Sequence, residues 1–139
     1  MQPCYWSLDK LPGLGQEELI LLQKNSVTTT RDLLVRTNSL RKAHQLAQQL
    51  HLPLNYIQKW SALADLARVP SIGYRYCGLL LHSGIISVKQ LVRKSVAKLY
   101  PTIRRLCVAT TRNKEFVPAP SLVQRWIDEA KLLVSSDFS

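Results

Sequence analysis

The sequence predicts an all-α protein, and three observations predict it. Apolar residues recur at three- and four-residue steps along most of the chain, the spacing of helices with one buried face. No segment alternates convincingly between apolar and polar residues at period two, as a half-buried strand would. The chain also repeats itself once. Leu11-Pro12-Gly13-Leu14-Gly15 precedes Val69-Pro70-Ser71-Ile72-Gly73 by 58 residues, and that offset also pairs Leu8 with Leu66 and Leu19 with Cys77. It further pairs Leu22 with Leu80, Val27 with Ile85, Leu33 with Leu91 and Leu34 with Val92. Ile57-Gln58-Lys59-Trp60 then matches Val123-Gln124-Arg125-Trp126 at an offset of 66. The eight extra residues of the second copy are assigned to 110–117. One domain over 1–139 is expected, with its copies at 8–65 and 66–135.

Each copy reads as a turn motif followed by helices, the last of which carries a tryptophan. A helix over 16–24 follows the first turn motif, and 30–37 follows it with the Leu33-Leu34 pair. Over 39–51 the stripe is Leu40, Ala43, Leu46, Ala47 and Leu50, with Arg41, Lys42, Gln45, Gln48 and Gln49 between. Over 54–67 it is Ile57, Trp60, Ala64 and Ala67, with Asn55 and Gln58 at a loose capping spacing. The second turn motif opens 74–83, and Ser87 with Gln90 gives capping-box spacing for 88–94. A helix over 96–109 comes next. The last, 120–135, has Pro120 suited to a first helical position, Ser121 and Gln124 at capping-box spacing, and a stripe of Val123, Trp126, Ile127, Ala130 and Val134. Ser26 and Gly84 fall at equivalent places just after a helix, where a left-handed cap favours glycine over serine.

Composition narrows the function classes. Of 139 residues, 46% are hydrophobic, which argues against a largely disordered chain. The longest aliphatic run, Leu19-Ile20-Leu21-Leu22, is far short of the roughly 20 residues a membrane span needs. The first residues have neither the basic nor the apolar region of a secretory signal, and Cys4, Cys77 and Cys107 form an odd set without Cys-x-x-Cys spacing. Free thiols in a reducing, cytoplasmic setting are the expectation. Lys and Arg number 19 against nine Asp and Glu, for a net charge of +10. Residues 1–58 carry +2 of it and residues 59–139 the other +8. Between 89 and 114 there are eight basic residues (Lys89, Arg93, Lys94, Lys98, Arg104, Arg105, Arg112 and Lys114) and no acidic one. Such an imbalance raises the prior for a polyanionic partner, nucleic acid or an acidic protein surface.

The turn motif supplies its own chemistry. Glycine permits a tight turn and close approach to the backbone, and the helix that follows begins with unpaired N–H groups at the positive end of its dipole. Together these favour an anionic oxygen. The motif resembles the helix-hairpin-helix, and the tandem arrangement with Trp-bearing helices is similar to a helix-hairpin-helix family of unknown function found mainly in cyanobacteria and related bacteria. The resemblance runs from about Leu8 to Leu133. It implies that hairpin amides hold DNA backbone phosphates without reading sequence, at Gly13, Leu14 and Gly15 in the first copy and at Ser71, Ile72 and Gly73 in the second. DNA-binding members often carry a basic residue two positions after the last glycine, where this chain has Glu17 and Arg75. Glu17 and Glu18 would repel a phosphate at the first hairpin, so the second is the better candidate. Ser71 departs from the family glycine and puts the tightness of that turn in question.

Competing readings are set aside on spacing. Trp60 and Trp126 lie on apolar stripes and are expected in the core, while Tyr74 and Tyr76 flank Arg75 and at least one should pack inward. His44 and His51 share a helical face with no third ligand at metal spacing. Cys77 takes the place of Leu19 and reads as a core residue. No Ser-His-Asp grouping, phosphate-binding lysine loop or carboxylate cluster stands out, and neighbours such as Asp128 and Glu129 point about 100° apart on a helix. No enzyme activity, cofactor, metal or small-molecule substrate is expected. The leading expectation is a sequence-independent nucleic-acid module, for DNA ahead of RNA. Ser71, Ile72 and Gly73 would supply amides and Arg75, Lys89, Arg93, Lys94, Arg104 and Arg105 the charge. Four such contacts would give a log–log salt slope of about −3.6. The alternative is a protein-interaction adaptor, or an accessory subunit of a larger complex such as a photosynthetic one, docking its basic half on an acidic partner.

Overall fold

Thr28, Thr29 and Asp32 set where the chain turns into a helix. The Thr29 hydroxyl accepts from the Asp32 amide at 3.1 Å, and the Asp32 carboxylate accepts from the Thr29 amide at 3.2 Å, a reciprocal capping box. The same carboxylate takes the Thr28 amide and hydroxyl, and chiefly that amide holds the Asp32 carboxyl below its ordinary range against the opposing effect of burial. Helix α2 (Thr30–Arg36) starts there. The computed structural model describes residues 1–111 and 117–137, so Arg112, Lys114 and most of the eight-residue expansion lie outside the described residues.

Among the described residues the chain is all-α. A short 3-10 helix, Leu8–Lys10, precedes α1 (Gln16–Lys24), α2, α3 (Leu40–Leu50) and α4 (Leu54–Ala67). Then follow α5 (Gly73–His82), α6 (Val88–Leu91), α7 (Val96–Thr111) and α8 (Pro120–Asp137). Ser39 caps α3 and Ser87 caps α6, the latter with the Gln90 side chain reaching back to the Ile86 amide at 2.7 Å. Two of the expected caps are corrected. Asn55 lies inside α4, whose flanking residue is Pro53, and Ser121 lies inside α8, where Ala119 takes the first amide bonds and Pro120 opens the helix. Helix α6 also stops at Leu91 rather than running to 94.

Three helices end through a left-handed residue. Ser26 (φ +66°), Gly84 (φ +91°) and His51 (φ +55°) let Val27, Ile85 and Leu52 donate back to the carbonyls of Leu22, Leu80 and Ala47 at 2.9–3.0 Å. The first two are the pair matched by the 58-residue offset. Positions paired at that offset are buried in both copies for Leu8/Leu66, Leu22/Leu80, Val27/Ile85 and Leu33/Leu91, whereas Leu19 is half-buried where Cys77 is fully buried.

The core forms around α4, which packs on α2, α3 and α5, while α8 packs on α6 and α7. Trp60 and Trp126 are both interior, as their stripes predict. Each fully buried large apolar side chain removes area worth roughly 1.5–3 kcal/mol from water. The two halves are also tied by the N-terminal segment. The Trp6 amide donates to the Thr30 hydroxyl at 2.9 Å and its carbonyl accepts from the Thr30 amide at 2.8 Å, while its indole N–H donates to the Ala67 carbonyl at 2.8 Å and its ring lies over Gly73. Tyr74 meets that ring edge-on at 5.0 Å.

The matched helix ends differ in residue type, which makes strain measurable. Ser26→Gly relieves a left-handed side chain and is expected to stabilise the fold by about 0.5–1 kcal/mol. Gly84→Ala meets no atom within 4 Å yet takes on that strain, and should cost about 1 kcal/mol. Urea unfolding of both variants checks the signs.

Candidate binding surfaces

The second hairpin joins α4 to α5, and its backbone donors all find acceptors inside the molecule. Ile72 and Gly73 both donate to the Val69 carbonyl, at 3.0 and 2.9 Å. Ser71 gives its amide to Glu129 Oε1 at 2.8 Å and its hydroxyl to Oε2 at 2.7 Å. Arg125 Nε reaches the same Oε2 at 3.0 Å, and the Trp126 indole donates to the Ser71 carbonyl at 3.1 Å. A carboxylate of the protein itself therefore takes the oxyanion position that the sequence assigns to a phosphate. The Ser71, Ile72 and Gly73 amides expected to face a phosphate are bonded within the chain in this structure. Ile72 and Gly73 are moreover buried, Gly73 beneath Trp6 with φ +52°.

Glu129 is 5% exposed, on a helix whose other buried residues are apolar: Val123, Trp126, Ile127, Ala130 and Leu133. Burial alone would favour its neutral form. The Ser71 hydroxyl and amide, with Arg125, outweigh that and hold its carboxyl below the ordinary glutamate range. Sequence reasoning missed this residue, although the repeat register carries the signal. At the offset that pairs Trp60 with Trp126, Glu129 stands where the first copy has Leu63, and at the 58-residue offset Ser71 stands where it has Gly13. Two departures from the repeat meet in space and satisfy each other.

The first hairpin is the more open one. Gly13 (φ +77°) and Gly15 are exposed and Leu14 is half-buried. The Glu18 carboxylate folds against Gly15, and the Lys59 ammonium comes up to Gly13, at the place equivalent to Arg125 in the register. An anion approaching these amides meets one charge of each sign.

Arg75, Lys89, Arg93, Lys94, Arg104 and Arg105 are all exposed, on α5, α6, the turn after it, and α7. Among the described residues the ion pairs are Arg68–Asp65 and Arg125–Glu129, and none of Arg75, Arg93, Lys94, Arg104 and Arg105 is matched by a carboxylate. The two tyrosines beside Arg75 both turn inward, Tyr74 to Trp6 and Tyr76 to Trp126 at 5.1 Å. Among the described residues no three His, Cys, Asp or Glu side chains come together as metal ligands, and no helix is long and apolar enough to cross a membrane. Cys77 is fully buried, which pushes its thiol up to about 11, and burial raises Cys107 as well.

The Ser71–Glu129 pair is testable as a unit. Glu129→Leu restores the residue of the first copy but strands the Ser71 amide and hydroxyl, and should cost about 2–3 kcal/mol. Adding Ser71→Gly removes one stranded group, so the double variant should fall short of the summed losses by about 1 kcal/mol. Because the folded carboxyl is lowered, its stabilisation is complete above the ordinary glutamate range. It is lost as pH falls through the folded value. Glu129→Gln should flatten that acid limb in a pH series of urea unfolding curves, and an unchanged limb would rule the carboxylate out as its source.

No curated protein and no solved structure matches the chain. A family model does, over residues 12–133, spanning both hairpins and all eight α-helices apart from the last residues of α8. The chain thus belongs to the DUF4332 family, a domain of unknown function.

Proposed function

We propose that this protein is a non-catalytic interaction module, an adaptor that keeps a tandem helix-hairpin-helix scaffold and docks its basic half on an acidic partner protein. One observation carries the reading: the Ser71 amide and hydroxyl are bonded to Glu129, and the other two hairpin amides to Val69. The backbone contacts that the second turn would offer DNA are thereby used in folding, and what remains on that half is side-chain charge. Arg93, Lys94, Arg104 and Arg105 are exposed cations without an acidic neighbour among the described residues, and they attract a carboxylate surface as readily as a phosphate one. The matched caps after α1 and α5, and the paired buried positions, support the two-unit scaffold. Three free cysteines are consistent with a reducing compartment.

Those same exposed cations favour one second reading, sequence-independent nucleic-acid binding by the basic face instead of the hairpin. Its distinguishing sign would be tolerance of changes at Ser71 with sensitivity at Arg104 and Arg105.

Fluorescence-anisotropy titrations with a labelled acidic polypeptide and with duplex, single-stranded and branched DNA, at rising salt, separate the two. The adaptor reading expects the polypeptide to bind at least as tightly as DNA of matched charge near physiological salt. Arg104→Glu with Arg105→Glu should weaken it by about tenfold or more. DNA binding that clearly exceeds the polypeptide under those conditions would replace the adaptor with the nucleic-acid module. If Glu129→Gln strengthens DNA binding, the second hairpin is a phosphate site after all.

A further inference from the structure

A second surface is lined mostly by the first half of the chain and completed by Leu81, Ile86 and Ser87 of the second. The end of α2, the start of α3 and the outer face of α4 bound an open groove of about 940 Å³, closed at one side by the turn before α6. Small residues on α4, Ser61 and Ala62, give it depth. Its walls carry Leu40 and Ile86, each 61% exposed, and Tyr5, 45% exposed. Three large apolar side chains thus stand exposed around one depression.

The chemistry of the occupant follows from what lines the groove. Its polar groups are largely satisfied already. The Thr37 hydroxyl is bonded to the Leu33 carbonyl and pairs with Ser61 at 2.9 Å, and Asp65 accepts from Arg68 on one oxygen and from the Val88 amide on the other. An apolar insertion would strand few donors or acceptors. The charge at the rim is positive. Asp65 is the groove's acidic residue and is neutralised internally. Lys59 lines the groove with its ammonium turned toward Gly13 and no carboxylate neighbour among the described residues, and the Arg31 guanidinium lies 5.8 Å from the Tyr5 ring centre. The walls are helices, with no strand edge among the described residues to extend.

We infer that this groove receives an acidic amphipathic helix of the partner protein, its apolar side chains between Leu40 and Ile86 and its carboxylates toward Lys59 and Arg31. The inference rests on the adaptor reading but names a surface other than the basic face, so the two fail separately.

The probe is a synthetic labelled helix of about five turns, with Leu at i, i+3, i+4 and i+7 and Glu elsewhere. A peptide of the same composition in scrambled order serves as control. The patterned peptide should bind the full chain about tenfold or more tighter than the scramble. Leu40→Glu or Ile86→Glu should abolish that difference, with thermal unfolding curves showing that these exposed positions leave the fold intact. Lys59→Glu should weaken the Glu peptide and strengthen a peptide in which Lys replaces Glu. Amide shifts in NMR spectra on titration should centre on Thr37, Ala43, Ser61 and Ser87. Equal binding of pattern and scramble overturns the groove. So does binding lost only in Arg104→Glu with Arg105→Glu, which leaves the basic-face adaptor standing. Absence of any binding to either peptide overturns the groove. A dimer in sedimentation that dissociates in Leu40→Glu would assign the surface to a second copy of the chain and overturn the inference as well.

Discussion

A buried carboxylate can be kept ionised only where several donors converge on it, and at Glu129 the donors are Ser71 and Arg125. That requirement sets much else in the second half. It fixes the last helix against the turn that opens α5, and it brings Trp126 within bonding distance of the Ser71 carbonyl. With Trp126 in place, Tyr76 has a ring to pack on. Removing one member would leave the others buried without partners. Networks of this kind therefore specify position more than they add net stability. The turn between α4 and α5 is a structural joint closed by the protein's own carboxylate.

The halves consequently present different chemistry to solvent. In the first, the equivalent apolar helix position is Leu63, the turn has glycine at Gly13, and no carboxylate is needed to close it. That hairpin stays exposed, guarded by Glu18 on one side and Lys59 on the other. Its half supplies most of the open groove's lining and little net charge, whereas the second half carries most of the positive charge on side chains that stand in water. A partner contacting both would meet shape and apolar area on one side and long-range attraction on the other. The two act on different stages of association, attraction mainly on encounter and apolar contact mainly on retention.

Much of the fold was legible because it is local. Helix periodicity survives in any context that buries one face, so all eight helices could be placed, and the tandem register located the left-handed ends at Ser26 and Gly84 and the interior tryptophans. Caps were less legible where the true flanking residue lacked a side-chain oxygen, as at Pro53, or where the box used Asp32 instead of Glu or Gln. The candidate site was legible as charge but not as geometry. Exposure of Arg75, Arg104 and Arg105 follows from their place on polar helix faces. The loss of the Ser71 amide depends on a residue 58 positions away, and no spacing rule within one hairpin reports it. Trp6 escaped for the same reason, since its partners at Ala67 and Gly73 are set by how the halves meet.

The sealed thiol at Cys77 turns that meeting of halves into something a clock can read. With burial pushing its thiol up to about 11, Cys77 carries little of the reactive thiolate at neutral pH, and its side chain is fully buried while α5 is seated. Alkylation of Cys77 must then wait for α5 to lift away, and its rate, divided by that of a free thiol, gives the free energy of that opening without any denaturant. Cys4, half-buried in the N-terminal segment, offers a second thiol in the same molecule against which the first can be timed.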